Sequence, residues 1–251
     1  MKQFAATAPK WRAGIRLYIA IAIALTTLEA WWWADTSFSG SSLVSIRLEE
    51  VYAWASLSLL SVALLIGPLY KVFPRLPLRQ LMSDARRLFG VGAAWFATLH
   101  ILIAYLGLFK FTNPLHVPPL YRSGFLYGSG AWLVLLAMAF TSFDAAFRRM
   151  GIWWFRLHRL VYLAVVLVLT HAFMIGTHAP QTWVLWLLGV VVTIVVSLHA
   201  VALARQPRRV SSWQLSTLGL MVVLLVLTFS YGFHQHQKVR SLSGGSYASA
   251  R

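Results

Sequence analysis

From Ile15 onward, apolar residues run in long unbroken stretches separated by short polar connectors, and no stretch alternates with the period of a half-buried strand. Each stretch is roughly 20 residues long. That is what an α-helix rising about 1.5 Å per residue needs to cross a hydrocarbon core of about 30 Å. A transmembrane β-barrel would need alternating segments of about 10 residues instead. The pattern predicts an all-α polytopic transmembrane helical bundle of about seven spans. They fall near Ile15–Ala34, Val51–Tyr70, Leu88–Leu108, Gly124–Thr141, Leu157–Gly176, Trp183–Leu203 and Leu215–Phe233. This divides the chain into an amino-terminal region with two spans (1–84), a core with four (85–204), and a seventh span with a polar tail (205–251).

Composition agrees with lipid as the solvent. With 59% hydrophobic residues, 11% charged and a mean hydropathy of +0.69, there is too little polar surface to cover a water-soluble globule. The stretch within Met1–Ala34 runs on into Trp31, Trp32 and Trp33 with no small-residue cleavage site, so it reads as a retained helix ending in an interfacial aromatic belt. Absence of Cys excludes disulfides, thiolate metal sites, iron–sulfur clusters and covalently attached haem. Any redox group must hang on histidine or bind without a covalent link.

The formal charge of +16 does not signal nucleic acid, because the cations lie in short clusters between apolar runs. Lys10, Arg12 and Arg16 precede the first span, Arg75 to Arg87 lie between the second and third, Arg148, Arg149 and Arg156 between the fourth and fifth, and Arg205 to Arg209 after the sixth. Alternate connectors are poorer in Lys and Arg. The chain is read as a multi-pass protein of a bacterial inner membrane; the positive-inside rule predicts a cytoplasmic amino terminus, and an odd number of spans puts the tail from His234 outside.

Ionisable side chains inside spans are expensive and mark function by default. Four of the eight histidines fall in apolar runs: His100, His158, His171 and His199. The third and fifth spans run in the same direction, so depths along them compare directly. His100 follows the basic edge at Arg87 by 13 residues, and His171 follows His158, between Arg156 and Arg159, by 13. Both inner histidines then lie about 20 Å beyond the cytoplasmic edge and should be level. Two imidazoles at one depth make a bis-histidine clamp for haem iron, whereas zinc would need three or four ligands and the spans hold almost no carboxylates. His158, at the cytoplasmic end of its span, is a candidate for a second haem, with His199 as a possible partner. In a regular helix His158 and His171 are about 220° apart, so they share a face only if the helix is locally irregular. Arg122, at the outer mouth of the fourth span, either pairs with haem propionates or anchors the helix at the interface. His116, His178, His234 and His236 read as connector and tail residues.

The runs ARRLFGVGAAWFATLHILIAYL (85–106), LLAMAFTS (135–142) and GIWWFRLHRLVYLAVVLVLTHAF (151–173) resemble the ferric-reductase-like transmembrane domain superfamily, and within it the haem-binding membrane subunits of periplasmic methionine sulfoxide reductase systems. The resemblance covers residues 80–180 well and the first two spans loosely. It implies a haem-binding core at 85–204 holding haem b, one or two molecules, on His100, His158 and His171. It further implies a cytoplasmic flavin reductase or quinol as donor, with FMN or a quinone as further cofactor, and a periplasmic oxidoreductase as acceptor. No GxGxxG follows a strand, so the donor is expected to be another molecule. Alternatives are direct reduction of ferric iron or oxygen at the outer haem, and a cofactor-free scaffold subunit. The seventh span departs from the expected pattern and leaves the partner open.

Overall fold

The computed structural model describes residues 10–108, 119–175 and 182–205, with isolated positions at 219, 222 and 226. Among the described residues every regular element is helical. Five helices are long and apolar enough to cross a membrane, covering the first five expected spans. The sixth lies within a helix over Thr182–Ala204, and the seventh, Leu215–Phe233, lies outside the described residues. The chain is a multi-pass membrane protein, and it forms two compact units, residues 1–111 and 112–251.

In the first unit, α1 (Lys10–Phe38) and α2 (Leu43–Val72) are joined by a tight turn in which Gly40 adopts φ +73°. A third helix, α3 (Arg79–Ile103), continues into one π-helical turn, Ala104–Leu108. Lipid tails are as apolar as leucine, so these helices associate by close packing and hydrogen bonds rather than by escape from water. Small residues permit the approach: Ala30 and Ala34 on α1, and Ala93 and Ala94 on α3, are all buried. Around them Leu48, Tyr52 and Phe96 form the core. Two side chains tie the helices across it, Tyr52 giving its hydroxyl proton to Thr27 O at 3.1 Å and Ser56 Oγ donating to Ala93 O at 2.8 Å. The opposite face of α1 is bare, with Tyr18 74% and Trp32 66% exposed, which only lipid or its interface can solvate.

Two close approaches set the path of α2. Pro68 has no N–H to offer the preceding turn. Arg86 of α3 reaches into that region, its Nε donating to Ala63 O at 2.9 Å and its guanidinium lying over the bare face of Gly67. At the other end, Gly107 in the π turn touches Ser45, where an added Cβ would stand 2.5 Å from Oγ and 2.6 Å from Cβ of the serine. Serine is too short to swing clear. Gly107→Ala is therefore expected to destabilise this unit by about 1–3 kcal/mol, the usual cost of overpacking. Gly90→Ala, where nothing lies within 4 Å, should not. Thermal unfolding of the two variants in detergent checks the contrast.

In the second unit, α4 (Pro119–Phe140) packs against α7 (Val161–Ile175) through Ala131 and Leu135 on one side and Ala164 and Leu169 on the other. Between them the chain folds into two short helices, α5 (Asp144–Met150) and α6 (Ile152–His158), turning at Gly151 with φ +51°. Trp154 holds this hairpin, edge-on to Phe147 with ring centroids 5.1 Å apart and donating Nε1–H to Thr141 O at 2.8 Å. The expected fifth span is interrupted at Arg159 and Leu160, where Leu160 N bonds to Leu157 O and Tyr162 N to Arg159 O in the tighter three-residue pattern. Each such step adds about 20° of rotation, so the local irregularity that a shared face for His158 and His171 requires is present but small. The last described helix is α8 (Thr182–Ala204).

Candidate functional site

All four span histidines are described, and each has its Nδ1 fixed on a main-chain carbonyl. A carbonyl only accepts, so Nδ1 carries the proton and Nε2 is the basic nitrogen. The four differ in which carbonyl is used, and that difference separates them.

His158 and His199 bond back to their own helices. His158 Nδ1 lies 3.0 Å from Trp154 O and its ring stacks on the Trp154 ring at 3.7 Å and 22°. Its Nε2 is 3.4 Å from Ser142 Oγ, a loose contact, since the one hydroxyl proton of Ser142 goes to Met138 O at 2.7 Å. His199 Nδ1 lies 2.9 Å from Val195 O, and its Nε2 accepts the Tyr162 hydroxyl at 2.8 Å. An axial role for His199 would break that Tyr162 bond, which ties α7 to α8.

His100 and His171 reach across to a neighbouring helix. His100 Nδ1 is 3.2 Å from Glu49 O and 3.8 Å from the Glu49 carboxylate, while the next acidic residue, Glu50, is paired with Arg47 at 2.7 Å. His171 Nδ1 donates to Gly124 O at 2.9 Å. Its ring lies flat against α4, where an added Cβ on Gly128 would stand 2.5 Å from Nδ1 and 2.7 Å from Cε1. Gly124 and Gly128 are one helical turn apart, so α4 offers a groove without side chains and the imidazole fills it. Gly124 and Gly128 are two and six residues past Arg122, an exposed residue near the start of α4, so the ring lies roughly 3–9 Å in depth from that cation's backbone. Sequence reasoning missed the glycine seat. The signal was present as the GxxxG of Gly124 and Gly128.

The acceptors Glu49 and Gly124 both lie within the first two turns of their helices, α2 and α4. Among the described residues no three His, Cys, Asp or Glu side chains gather as a metal cluster. His116, His178, His234 and His236 lie outside the described residues.

Helices of spanning length with oriented imidazoles inside them define the class, a polytopic membrane bundle carrying half-buried histidines. Comparison narrows it. Residues 52–169 match the family model of the ferric reductase like transmembrane component. The chain is similar to the protein-methionine-sulfoxide reductase heme-binding subunit MsrQ of Pasteurella multocida, 31% identical over 182 residues, which is 72% of this chain and 87% of that protein. Against the protein of the same name from Cronobacter sakazakii it is 37% identical over 144 residues, 55% of this chain and 68% of that one. The Yersinia pseudotuberculosis protein gives 33% over 159 residues, 62% and 76%. No solved structure matches. The chain belongs to the ferric-reductase-like transmembrane family, on its MsrQ branch.

Proposed function

We propose that this chain is the b-haem membrane subunit of a reductase, sitting in a bacterial inner membrane with its amino terminus cytoplasmic and carrying electrons toward a periplasmic oxidoreductase. Its relatives are named heme-binding subunits of a protein-methionine-sulfoxide reductase, which supports an acceptor of that kind. A cytoplasmic flavin reductase or quinol is the donor in this reading.

The observation that carries the proposal is His171. A half-buried imidazole in a span, pressed into a groove that only glycine leaves open, with its proton committed to Gly124 O, is oriented as a metal ligand is oriented by its outer-shell partner. His100 on Glu49 O repeats the arrangement. Each acceptor lies within the first two turns of its own helix, and the shared depth of the two rings rests on the sequence spacing from the basic edges. A pair rather than a cluster of such ligands suits haem better than zinc. Residues 85–204 are the proposed haem core.

A bound haem would supply a one-electron iron couple there. The chain's own work is to hold and insulate. His100 and His171 would present Nε2 to the iron, Arg122, within about two turns of the His171 ring along α4, would pair with propionates, and the apolar spans would exclude water. His158, at the cytoplasmic end of the expected fifth span, is the proposed ligand of any second haem.

The test is a dithionite-reduced minus oxidised absorption spectrum of the purified protein. Soret and α-band changes of a b-type haem are expected. A flat difference spectrum after expression with haem supplementation would leave only the scaffold reading.

A further inference from the structure

A GxxxG motif in a membrane helix ordinarily lets a second backbone come close. On α4 the space left by Gly128 is taken by an imidazole. We infer that Gly124 and Gly128 form a dedicated seat for the His171 ring, making Gly128 a positioning residue that sets how this histidine faces a ligand and so determines cofactor occupancy. The inference rests on the proposed haem reading for its functional meaning, but its geometry stands alone.

Three observations fit together. The would-be Cβ of Gly128 lies 2.5 Å from Nδ1, 2.7 Å from Cε1 and 3.1 Å from Cγ of His171, so one methyl group meets the face of the ring over its Nδ1 side. An aromatic ring cannot fold out of the way as a flexible chain end does. It must slide or tilt, and either motion stretches the 2.9 Å bond from Nδ1–H to Gly124 O. Gly130, two residues on, supplies the contrast, because its would-be Cβ meets only Leu167 Cδ1, at 3.6 Å, an ordinary contact. The two glycines share a helix and the same change in helix propensity on substitution to alanine. They differ in what they face.

Loss of the seat has two consequences. The ring loses the carbonyl that fixes its tautomer and strengthens its donation through Nε2, an outer-shell effect typically worth about 10- to 100-fold in metal affinity. It also becomes free to rotate about the Cβ–Cγ bond, so the direction in which Nε2 points is no longer set. A haem held by such a ring would change its reduction potential as well as its occupancy.

The experiment compares Gly128→Ala with Gly130→Ala in the full chain, reading the haem-to-protein ratio and the midpoint potential of whatever haem remains. Thermal midpoints are added for His171→Ala and for the double variant Gly128→Ala/His171→Ala. Gly128→Ala is expected to lower haem content by about tenfold or more, or to shift the midpoint of retained haem, while Gly130→Ala behaves as the parent. With the ring removed, alanine at 128 has nothing to strike, so the double variant should melt with His171→Ala, although Gly128→Ala alone melts about 2–4 °C or more below the parent. Equal behaviour of the two single glycine variants would overturn the inference. So would a double variant that melts well below His171→Ala, since Gly128 would then be needed for helix approach. If the parent holds no haem, the haem reading fails, yet the melting comparison still decides whether the seat exists.

Discussion

His171→Ala and His100→Ala should each come off the column with about a tenth or less of the parent's haem, and millimolar imidazole should restore part of the Soret band in both. The reasoning is local to each unit. In the second, the ring of His171 fills the groove at Gly128 and gives its Nδ1 proton to Gly124 O, so its removal deletes both the proposed iron ligand and the group whose orientation the groove fixes. In the first, His100 is held against Glu49 O and the Glu49 carboxylate. External imidazole replaces the lost nitrogen but not its tether, so rescue is expected to be partial. His158→Ala should keep at least about half of the haem, because the proposed pair is untouched and only a second site would be lost. Loss of all haem in His158→Ala, with full retention in His171→Ala, would reassign the ligand set and sink the pairing.

Much of this architecture was readable before any coordinates because lipid imposes a strong filter. A helix must satisfy all its backbone groups within itself, so long apolar stretches leave few options. That is why α1 and α4 fall close to where the hydropathy of the chain puts them, whereas α2 begins at Leu43, eight residues before the expected Val51. The boundaries that differ are those where hydropathy is silent. The third helix begins at Arg79, well before Leu88, because the charged turns from Arg79 to Arg87 are as helical as the apolar ones that follow. The π turn at Ala104–Leu108 and the tightened turn at Arg159–Leu160 change hydrogen-bond partners without changing polarity, so they leave no mark in the sequence.

The site shows the same division. His100 and His171 stood out because a titratable group in a span is costly, and their spacing from basic edges suggested a shared depth. Their carbonyl partners could not be foreseen. Every residue carries a carbonyl, and only packing selects Glu49 and Gly124. Gly124 and Gly128 were visible as a GxxxG, but the motif announces a close approach without saying what approaches. For His199 depth alone was legible beforehand, and the Tyr162 hydroxyl at 2.8 Å follows from how α7 meets α8.

Phe96→Ala should destabilise the first unit by about 2 kcal/mol while leaving haem stoichiometry near that of the parent. Phe96 is 2% exposed and among the largest side chains fully enclosed, with its ring centroid 5.8 Å from that of Tyr52 and Ala30, Ala34 and Leu48 completing its surroundings. In a water-soluble core the same truncation costs about 3–5 kcal/mol, part of it the transfer of an aromatic ring out of water. Here the alternative surroundings are lipid tails, and that part largely vanishes. What remains is the void. A cavity on the order of 100 Å³ at about 24 cal/mol per Å³ gives about 2 kcal/mol. Leu133→Ala, at a position 60% exposed, creates no void and should change stability by less than about 0.5 kcal/mol. Haem should survive in Phe96→Ala because the Nδ1 contacts of His100 run to Glu49 on α2, and the Tyr52–Thr27 and Ser56–Ala93 bonds still hold α1, α2 and α3 together. Thermal unfolding in nanodiscs with parallel haem quantification measures both quantities. An unchanged midpoint would mean that the small-residue contacts and interhelical hydrogen bonds, not the aromatic core, carry the cohesion of this bundle.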